Sequence, residues 1–437
     1  MSLTTPAALR PTQVGDRIAA LDVARGLALF GIFMVNVQFM VQPLTWMFDG
    51  GGADEGPLAA FLYYLTRVFF ESKSYPLFSM LFGMGLVLMY DRAKAAGRGF
   101  AGVYIRRLVL LLLFGMAHAW LVWYGDILIY YACFGFLVMW LAPLRPKPML
   151  IIAVTLTLAA ALWVAGMAGL GAALGTGNGE PPMSGIENAT FDDLIRGLKA
   201  GEVQSGPLDP AWGDAETDAM TNGPYATAVA MRALNWVAGI IFWVGFAGIF
   251  LHVPAMFLLG GAVMRFGVLS DPASPWPKRF VLLGLVVGLP GAIAGVLMTE
   301  LSDQNSPVFT LSTAVVHLAG PLMSLAYGGI AVWMARSTVG TWLVRAVAAS
   351  GRMAMTNYLM QSLLVAAFAQ HWGMGRFGDV TRIEMVIMVL TIYIGQLAFS
   401  SLWLRAFTMG PFEYVWRTAT YFRFPRLLRR PAAVGGP

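Results

Sequence analysis

Residues 106–136 read RRLVLLLLFGMAHAWLVWYGDILIYYACFGF, two apolar runs joined by the short polar turn WYGD. Two arginines precede the first run, and the only ionisable residues near the turn besides tyrosines are His118 and Asp126. An apolar run of about 18 residues or more is long enough to cross a bilayer as a helix. The stretch therefore predicts a hairpin of two membrane-spanning helices with a tight turn at residues 124–126.

Comparable apolar runs recur along the whole chain. Hydrophobic residues make up 58% of the 437 residues and charged residues 12%, against roughly 25% charged residues in a soluble domain. This composition predicts an all-α polytopic membrane protein. Helices placed on the apolar runs give about ten transmembrane spans, at residues 18–41, 74–90, 106–123, 126–142, 149–173, 235–266, 279–299, 307–334, 353–372 and 382–406. The run at 235–266 is too long for one straight crossing, and Pro254 predicts either a kink in it or a first half that lies at the membrane interface.

The charges in the connections between these spans alternate in sign. Lysine and arginine fill every even-to-odd connection and the tail, at Arg92, Lys94, Arg98, Arg145, Lys147, Lys278, Arg279, Arg336, Arg345 and Arg417 among others. The other connections carry acids, at Asp49, Asp54, Glu55, Asp126, Glu300 and Asp303. Because basic loops stay on the cytoplasmic side, the pattern predicts that both termini are cytoplasmic.

The same ordering divides the chain into four parts. Residues 1–173 form a first membrane half with five spans, and residues 233–410 a second half with five more. Between them, 174–232 is predicted to be one polar extracytoplasmic loop that acts as a lid, with a short helix capped near Thr190 and otherwise no regular structure. Residues 411–437 form a basic cytoplasmic tail.

The net charge of +6 does not call for a nucleic-acid partner, because the cytoplasmic flanks of the spans account for it. The lipid bilayer is the expected partner, with a homodimer as a candidate assembly. No phosphate-binding loop, HExxH, CxxC or GxSxG motif occurs in the sequence, so we expect no metal cofactor and no nucleotide hydrolase or soluble-type nucleophile.

His118 and Asp126 are the most informative polar residues of the spans. Both lie in the outer third of the membrane on helices joined by the tight turn, and an ionisable residue at such depth usually faces a partner or a cavity. A carboxylate that orients a histidine is a common general-base arrangement, which makes both residues candidate catalytic groups. The alternatives are that Asp126 only caps its helix and that His118 is a structural histidine bonded to a neighbouring helix.

Other polar residues of the spans fall on shared helix faces. Arg25 and Asn36 are eleven residues apart, which places them within ~20° of each other and ~16 Å apart along a helix. Asn36 is a third candidate catalytic residue. Asn357 and Gln361 share one face of the ninth span and, with Tyr130, are candidate substrate-binding residues. Asn36 and Gln361 are equally interpretable as hydrogen-bonding contacts between helices.

Five stretches together resemble the YeiB-like family of bacterial inner-membrane proteins, which is defined by a domain of unknown function, number 418. They are RIAALDVARGLALFGIFMVNVQ (17–38), ESKSYPLFSMLFGMG (71–85), the hairpin at 106–136, GRMAMTNYLMQS (351–362) and GPFEYVWRTATY (410–421). The resemblance implies a multi-pass protein of the bacterial inner, or cytoplasmic, membrane.

The first stretch is also distantly similar to membrane acyltransferases such as heparan-α-glucosaminide N-acetyltransferase, through Arg17, Asp22, Arg25, Gly26 and Asn36. That resemblance implies that acyl-CoA, the donor substrate, binds from the cytoplasm and that its acyl group passes to an acceptor outside. The acetyltransferase uses a histidine between its first and next spans. Residues 42–73 contain none, so His118 is the candidate for that role.

The cytoplasmic ends of the spans carry arginines that could bind the phosphates of CoA. They are Arg25, Arg352, Arg106 and Arg107, and charge-assisted hydrogen bonds from guanidinium groups suit phosphate oxygens. Anchoring by the positive-inside rule is an equally good explanation of Arg106 and Arg107.

The function that we expect from the sequence is therefore a membrane acyltransferase that acts on an extracytoplasmic glycan, lipid or small molecule. The alternatives are a secondary transporter of a small solute or lipid, because five spans on either side of an external loop would place two halves in inverted topology, and a non-catalytic membrane partner.

Overall fold

The computed structural model describes residues 19–47, 53–173, 184–269, 271, 273–303 and 306–429. Arg17 of the family-like stretch, residues 174–183 of the predicted loop and both chain ends lie outside these residues. The described residues form helices, turns and loops, with a single isolated β-bridge between Phe407 and Leu428. The all-helical class expected from the sequence is confirmed.

Seventeen α-helices follow one another through the described residues. Those before the polar segment are α1 (Ala19–Val41), α2 (Pro57–Phe69), α3 (Ser74–Ala95), α4 (Ala101–Leu121), α5 (Leu128–Val138) and α6 (Pro146–Ala173). The polar segment contributes α7 (Phe191–Ala200) and α8 (Pro210–Thr221) and leads into α9 (Tyr225–Ile240). The remaining helices are α10 (Ile249–Arg265), α11 (Trp276–Leu283), α12 (Leu289–Glu300), α13 (Pro307–Arg336), α14 (Thr341–Arg352), α15 (Ala354–Ala369), α16 (Arg382–Ala406) and α17 (Pro411–Tyr421).

Six helical stretches among the described residues are long and apolar enough to cross a membrane, namely α1, α4, Pro146–Gly171, Trp276–Glu300, α13 and α16. Shorter apolar helices at Leu128–Leu141, Ile249–Arg265 and Ala354–Ala369 lie within three further predicted spans, the second of them covering only the latter half of 235–266. Large apolar side chains such as Leu162, Trp140 and Ile394 are exposed on the outside of the bundle, as expected of a lipid-facing surface. A multi-pass membrane fold follows, while the number of ten spans and their orientation stay predictions.

Helix α1 lies at the centre of the bundle. In its most apolar window 72% of the residues are buried, against 22–39% in the other five long stretches. It packs against α3, α13, α14, α15 and α16. A central first helix brings its polar residues close to most of the other spans.

The chain breaks its helical path at two places, the first just before the predicted span 74–90 and the second inside the predicted span 235–266. Residues 70–73 separate α2 from α3, with Ser72 in the left-handed conformation (φ 58°). A π-helical turn followed by Gly248 (φ 64°) separates α9 from α10. Glycine adopts that backbone conformation without strain. The interruption of the predicted span 235–266 thus lies before Pro254, which is inside helix α10; the kink expected at Pro254 stays a prediction.

One face of helix α13 contacts both interruptions. His317 Nε2 lies 3.1 Å from the carbonyl oxygen of Ala247 beside the second interruption. Ser324 Oγ donates to the carbonyl oxygen of Lys73 at 2.6 Å beside the first. Between them, a Cβ on Gly320 would lie 2.2 Å from the carbonyl oxygen of Ser72, so only glycine allows this approach.

The polar segment is more ordered than predicted. Its short helix α7 is capped as predicted, because Thr190 and Asp193 form a reciprocal capping box. The prediction that the rest is loop is wrong for the described part, since Asp209 caps a second helix, α8. Glu216 joins helix α8 to two other parts of the chain. Its carboxyl group accepts hydrogen bonds from the amide of Leu44 (2.9 Å) and from Asn235 Nδ2 on α9 (2.6 Å).

Candidate functional site

A cavity of about 300 Å³ lies between α1, α3, α4, α5, α15 and α17. Its polar end is lined by five arginines and two carboxylates, Arg25, Arg92, Arg107, Arg352, Arg417, Asp22 and Glu413. Its other end is apolar and aromatic, lined by Leu29, Ile32, Phe78, Phe82, Leu111, Leu128, Tyr131 and Tyr358. Because arginines outnumber carboxylates five to two, the polar end suits an anion, and the cavity as a whole suits an anion with an apolar or uncharged arm.

The order of lining residues along each helix sets the direction of the cavity. On α1 the lining runs from Asp22 and Arg25 to Ile32, and on α4 from Arg107 to Leu111. The cavity therefore begins at the arginine-rich end of the bundle and extends along the helices towards the hairpin between α4 and α5.

The two neighbouring arginines Arg106 and Arg107 have different surroundings. Arg107 lines the cavity, with its guanidinium 4.1 Å from the ring centroid of Trp416. The indole Nε1 of Trp416 in turn donates to the carbonyl oxygen of Arg107 at 3.2 Å. Arg106 is not among the lining residues; its Nε donates to the carbonyl oxygen of Thr420 at 3.1 Å. Of the pair, only Arg107 is therefore placed to contact a ligand.

Two more predicted ligand-binding arginines line the cavity. Arg25 Nη1 forms an ion pair with Asp22 Oδ1 at 2.8 Å, one turn away on α1. Arg352 is the last residue of α14, and its Nη2 lies 3.4 Å from the carbonyl oxygen of Thr408. The cavity is thus lined by three of the four arginines that the sequence predicted to bind phosphate.

Helix α17 closes the polar end, and Glu413 ties it to α15. The Glu413 carboxylate accepts hydrogen bonds from the amides of Met355 (2.8 Å) and Thr356 (3.1 Å) and from the Thr356 hydroxyl (2.5 Å). These amides belong to the first turn of α15, where a carboxylate is favourable. Burial raises the pKa of Glu413 above its ordinary value, and the hydrogen bonds partly offset that rise.

His118 and Asp126 form a buried pair beyond the apolar end. His118 Nδ1 lies 2.7 Å from Asp126 Oδ2, and the two side chains are 2% and 0% exposed. The second oxygen, Oδ1, accepts the amide of Ile129 at 2.9 Å and so caps α5. Both interpretations of Asp126 therefore hold at once, as a helix cap and as the partner of the histidine. The other ring nitrogen, His118 Nε2, is buried and has no hydrogen-bond partner among the described residues.

Tyr358 lies between the cavity and this pair. Its ring lines the cavity and lies 5.3 Å, centroid to centroid, from the His118 imidazole. Its hydroxyl accepts the amide of Ile127, the residue after Asp126, at 3.4 Å. Neither His118 nor Asp126 lines the cavity itself, so Tyr358 separates the two.

The remaining predicted site residues lie elsewhere. Asn36 is partly exposed on α1, and among the described residues no hydrogen bond joins it to His118 or Asp126. Asn357 Nδ2 donates to Ser400 Oγ at 2.9 Å, and Gln361 Nε2 donates to Gln396 Oε1 at 2.9 Å, so both face α16. Tyr130 is partly buried and does not line the cavity. The roles predicted for these four residues stay predictions.

Several lining residues went unnoticed in the sequence. Tyr131 neighbours the predicted Tyr130, and Tyr358 neighbours the predicted Asn357. Both tyrosines and Glu413 lie inside the stretches that carried the family resemblance, which was the signal available. The two tyrosines lie in apolar runs and Glu413 lies in the predicted basic tail, so nothing in the sequence offered a chemical reason to select them.

No group of three or more histidine, cysteine, aspartate or glutamate side chains able to hold a metal ion occurs in the part of the chain that the structure describes. The charged groups that line the cavity are five arginines and the carboxylates of Asp22 and Glu413. This donor set favours an organic anion as ligand.

Comparison with known proteins agrees with the resemblance seen in the sequence. A family model described as "Protein of unknown function (DUF418)" matches residues 263–423. "Uncharacterized protein YxaH" of Bacillus subtilis is 30% identical over 434 residues, covering 97% of this chain and 98% of the relative. "Uncharacterized protein YeiB" of Escherichia coli is 28% identical over 413 residues, covering 93% and 96%. No solved structure matches the chain. The chain therefore belongs to the DUF418 family, together with the bacterial proteins YxaH and YeiB.

Proposed function

We propose that this protein is a membrane acyltransferase that moves an acyl group from acyl-CoA in the cytoplasm to an acceptor on the other side of the membrane. One observation carries the proposal: an arginine-lined cavity extends along the helices and ends at Tyr358, against the buried His118–Asp126 pair. The acceptor is a glycan, a lipid or a small molecule, and the setting is the bacterial inner membrane.

The donor is inferred from the two ends of the cavity. CoA carries phosphates at one end and a thioester at the end of a long, largely uncharged arm. The arginines would bind the phosphates. On α4, Arg107 and His118 are eleven residues apart, so they share a face within ~20° and are separated by ~16 Å along the axis. An arm that starts at Arg107 and follows α4 would bring the thioester close to Tyr358 and His118.

The acceptor side is inferred from His118. Asp126 holds Nδ1, which leaves Nε2 as the nitrogen that can take a proton from an acceptor hydroxyl or amine. The attacking oxygen or nitrogen forms a bond to the acyl carbon, the carbon–sulfur bond breaks, and CoA leaves as the thiol. With the basic end in the cytoplasm, the acyl group leaves the cavity on the far side.

Gly85 provides the direct test of ligand binding. It lines the cavity, and a Cβ at this position would meet no atom within 4 Å. Gly85→Leu would therefore fill the cavity without disturbing the packing. The matched control is Gly395→Leu, on the exposed side of α16, where a Cβ also meets nothing within 4 Å.

The experiment measures equilibrium binding of radiolabelled acetyl-CoA to the protein in lipid nanodiscs. We expect wild type and Gly395→Leu to bind and Gly85→Leu not to bind. Absence of binding to wild type, or equal binding to all three proteins, would overturn the acyl-CoA assignment.

A secondary transporter is the second candidate, and the interrupted helices favour it. Transporter sites are often built where spans break near the midplane. Here α3 and α10 both begin at interruptions, and the hydroxyl of Tyr75 lies 2.6 Å from His252 Nδ1 in their first turns. Solute uptake into proteoliposomes without chemical change of the solute would favour transport over acyl transfer.

A further inference from the structure

We propose that residues 422–429, called the strap below, form a docking surface for anionic lipids of the membrane leaflet at the arginine-rich end of the bundle. The strap follows α17 and reads FRFPRLLR, with three arginines and no acidic residue. None of its residues lines the cavity. The inference is therefore independent of the proposed acyl transfer.

The strap lies at the end of a membrane-spanning helix. The amide of Thr408 donates to the carbonyl oxygen of Leu427 at 2.8 Å, and the hydroxyl of Thr408 donates to the carbonyl oxygen of Arg426 at 2.7 Å. The amide of Arg429 donates to the carbonyl oxygen of Ala406 at 2.9 Å. Helix α16 is long and apolar enough to cross a membrane and ends at Ala406. The strap is thus fixed where the apolar layer of the membrane meets water.

The chain turns back at Phe422 to reach this place. Phe422 has a left-handed backbone conformation (φ 50°, ψ 39°), which bulky residues rarely adopt. Arg106, near the start of α4, contacts both sides of this turn. Its guanidinium lies 5.0 Å from the centroid of the Phe422 ring, and its Nε donates to the carbonyl oxygen of Thr420. The position of the strap is therefore set by contacts with α4 at one end and with α16 at the other.

The outward side of the strap combines apolar and basic side chains. Burial alternates along it, as it does in an extended segment: Phe424, Arg426 and Leu428 are exposed, whereas Pro425 and Leu427 are partly buried. Phe424 is 85% exposed and Leu428 is 62% exposed. An arginine between two apolar side chains at the membrane boundary suits a phospholipid, because the apolar groups can enter the acyl layer while the guanidinium binds the phosphate.

The charge of the strap favours an anionic lipid over a second copy of the chain. Arg423, Arg426 and Arg429 are exposed, and among the described residues none of them forms an ion pair. A second copy docked symmetrically through the strap would bring the same positive charges together, because a two-fold interface pairs identical surfaces. Anionic headgroups neutralise these charges, and each basic side chain near such a surface strengthens binding by roughly fivefold.

The test uses the full-length protein in nanodiscs of equal amounts of phosphatidylcholine and phosphatidylglycerol, with Phe424 replaced by the photoreactive benzoylphenylalanine. This side chain cross-links to the molecule that it contacts, and mass spectrometry identifies the adduct. The comparison position is Leu162, which is 74% exposed on α6. We expect lipid adducts at both positions. Phosphatidylglycerol should exceed phosphatidylcholine only at position 424, by roughly fivefold or more.

Two arginine variants test the origin of this excess. Arg426→Gln, combined with benzoylphenylalanine at position 424, should lower the excess by about fivefold. Arg196→Gln is the matched control, because Arg196 is 77% exposed on α7, in the polar segment. Both substitutions are at exposed side chains, so the unfolding temperature should stay at the wild-type value. An excess that Arg426→Gln leaves unchanged would overturn the contact between Arg426 and the headgroup.

Three outcomes at position 424 would overturn the proposal. Equal proportions of the two lipids at positions 424 and 162 would show that the strap does not select anionic lipid. A cross-linked dimer would make a second copy of the chain the occupant. Lipid adducts at position 162 but none at position 424 would place the strap in water. Each outcome leaves the acyltransferase proposal standing, since that proposal depends on acetyl-CoA binding in the cavity.

Discussion

The imidazole of His118 and the carboxylate of Asp126 lie 2.7 Å apart inside the protein, on helices joined by a six-residue connection. One oxygen of Asp126 holds the histidine and the other caps α5. A buried ionisable pair in a membrane bundle is costly to maintain. Its chemical and its structural contributions can be separated by substitution.

The Asp126→Asn variant should separate the role of Asp126 in catalysis from its role as a helix cap. Asparagine is also a good N-cap, so we expect the thermal stability of Asp126→Asn to remain close to that of wild type. The amide cannot orient or stabilise a protonated imidazole, so acyl transfer should fall by ~10²-fold or more. Asp126→Ala should lose both thermal stability and acyl transfer, because alanine can neither cap α5 nor orient His118. A fully active Asp126→Asn would show that Asp126 acts only as a cap.

His118→Ala should abolish transfer and leave acetyl-CoA binding intact, because His118 does not line the cavity. General-base catalysis contributes ~10²–10⁴ in rate. His371→Ala is the control, since His371 lies outside the site in the loop between α15 and α16. Turnover at the wild-type rate by His118→Ala would make His118 a structural histidine.

Arg107→Ala and Arg106→Ala form a matched pair for the ligand-binding end. Arg107 lines the cavity and Arg106 does not, so only Arg107→Ala, and likewise Arg352→Ala, should weaken acetyl-CoA binding directly. Loss of a charge-assisted hydrogen bond costs about 1.5–3 kcal/mol, which is a rise in Kd of roughly tenfold to a hundredfold. An equal rise in Kd for Arg106→Ala and Arg107→Ala would show that the positive charge of this region attracts acetyl-CoA and that Arg107 makes no specific contact with it.

Glu216 should make the stability of the protein depend on pH. Burial raises its pKa to about 8 in the folded protein, against about 4.3 in an unfolded chain. The folded state therefore holds a proton that the unfolded state has lost, and stability should fall as the pH rises from about 4.3 to 8. In Glu216→Gln this slope should be absent, whatever its absolute stability. Unfolding temperatures at pH 5 and pH 8.5 test this, with the exposed Glu187→Gln as control.

Gly320→Ala should destabilise the protein. The new methyl group would lie 2.2 Å from the carbonyl oxygen of Ser72 and would push the interruption between α2 and α3 away from α13. Overpacking of this kind costs about 1–3 kcal/mol. Gly328→Ala on the same helix meets no atom within 4 Å and should be neutral or slightly stabilising. Equal unfolding temperatures would contradict the close approach.

Orientation can be tested with two introduced cysteines in a Cys133→Ala background. The positive-inside pattern predicts that Gly179 is outside and Gly436 inside, although both lie outside the described residues. A membrane-impermeant thiol reagent should label Gly179→Cys in intact cells and Gly436→Cys only after lysis. Labelling of both from the same side would reverse the assignment of one half.

Much of the fold could be predicted because membrane spans are encoded by uninterrupted apolar runs. The span predicted at 382–406 coincides with α16, and those at 18–41 and 307–334 are displaced by at most two residues from α1 and α13. The interruptions could not be predicted in the same way. They depend on long-range contacts such as that of His317 with the carbonyl of Ala247, whereas the local signal in this run, Pro254, lies inside helix α10.

The site was predicted in part for the same reason. His118 and Asp126 stood out because charge is rare in an apolar run, and the structure pairs them. Tyr358 and Tyr131 did not stand out, because tyrosine is common in spans and only packing against His118 or the cavity distinguishes them. Asn357 and Gln361 stood out on polarity alone, and their partners lie on α14 and α16, out of the cavity.

The ion pair between Arg67 and Glu300 also constrains how the chain enters the membrane. Arg67 lies near the end of α2, and its partner on α12 is 233 residues further along the chain. Glu71, four residues further on, can pair with Arg67 as soon as α2 has been made, but the ion pair with Glu300 can form only after α12 has been translated. The assembly of this protein is for that reason only partly sequential: α2 is the second helix of the described residues to be made, and its contact with α12 is completed more than two hundred residues later.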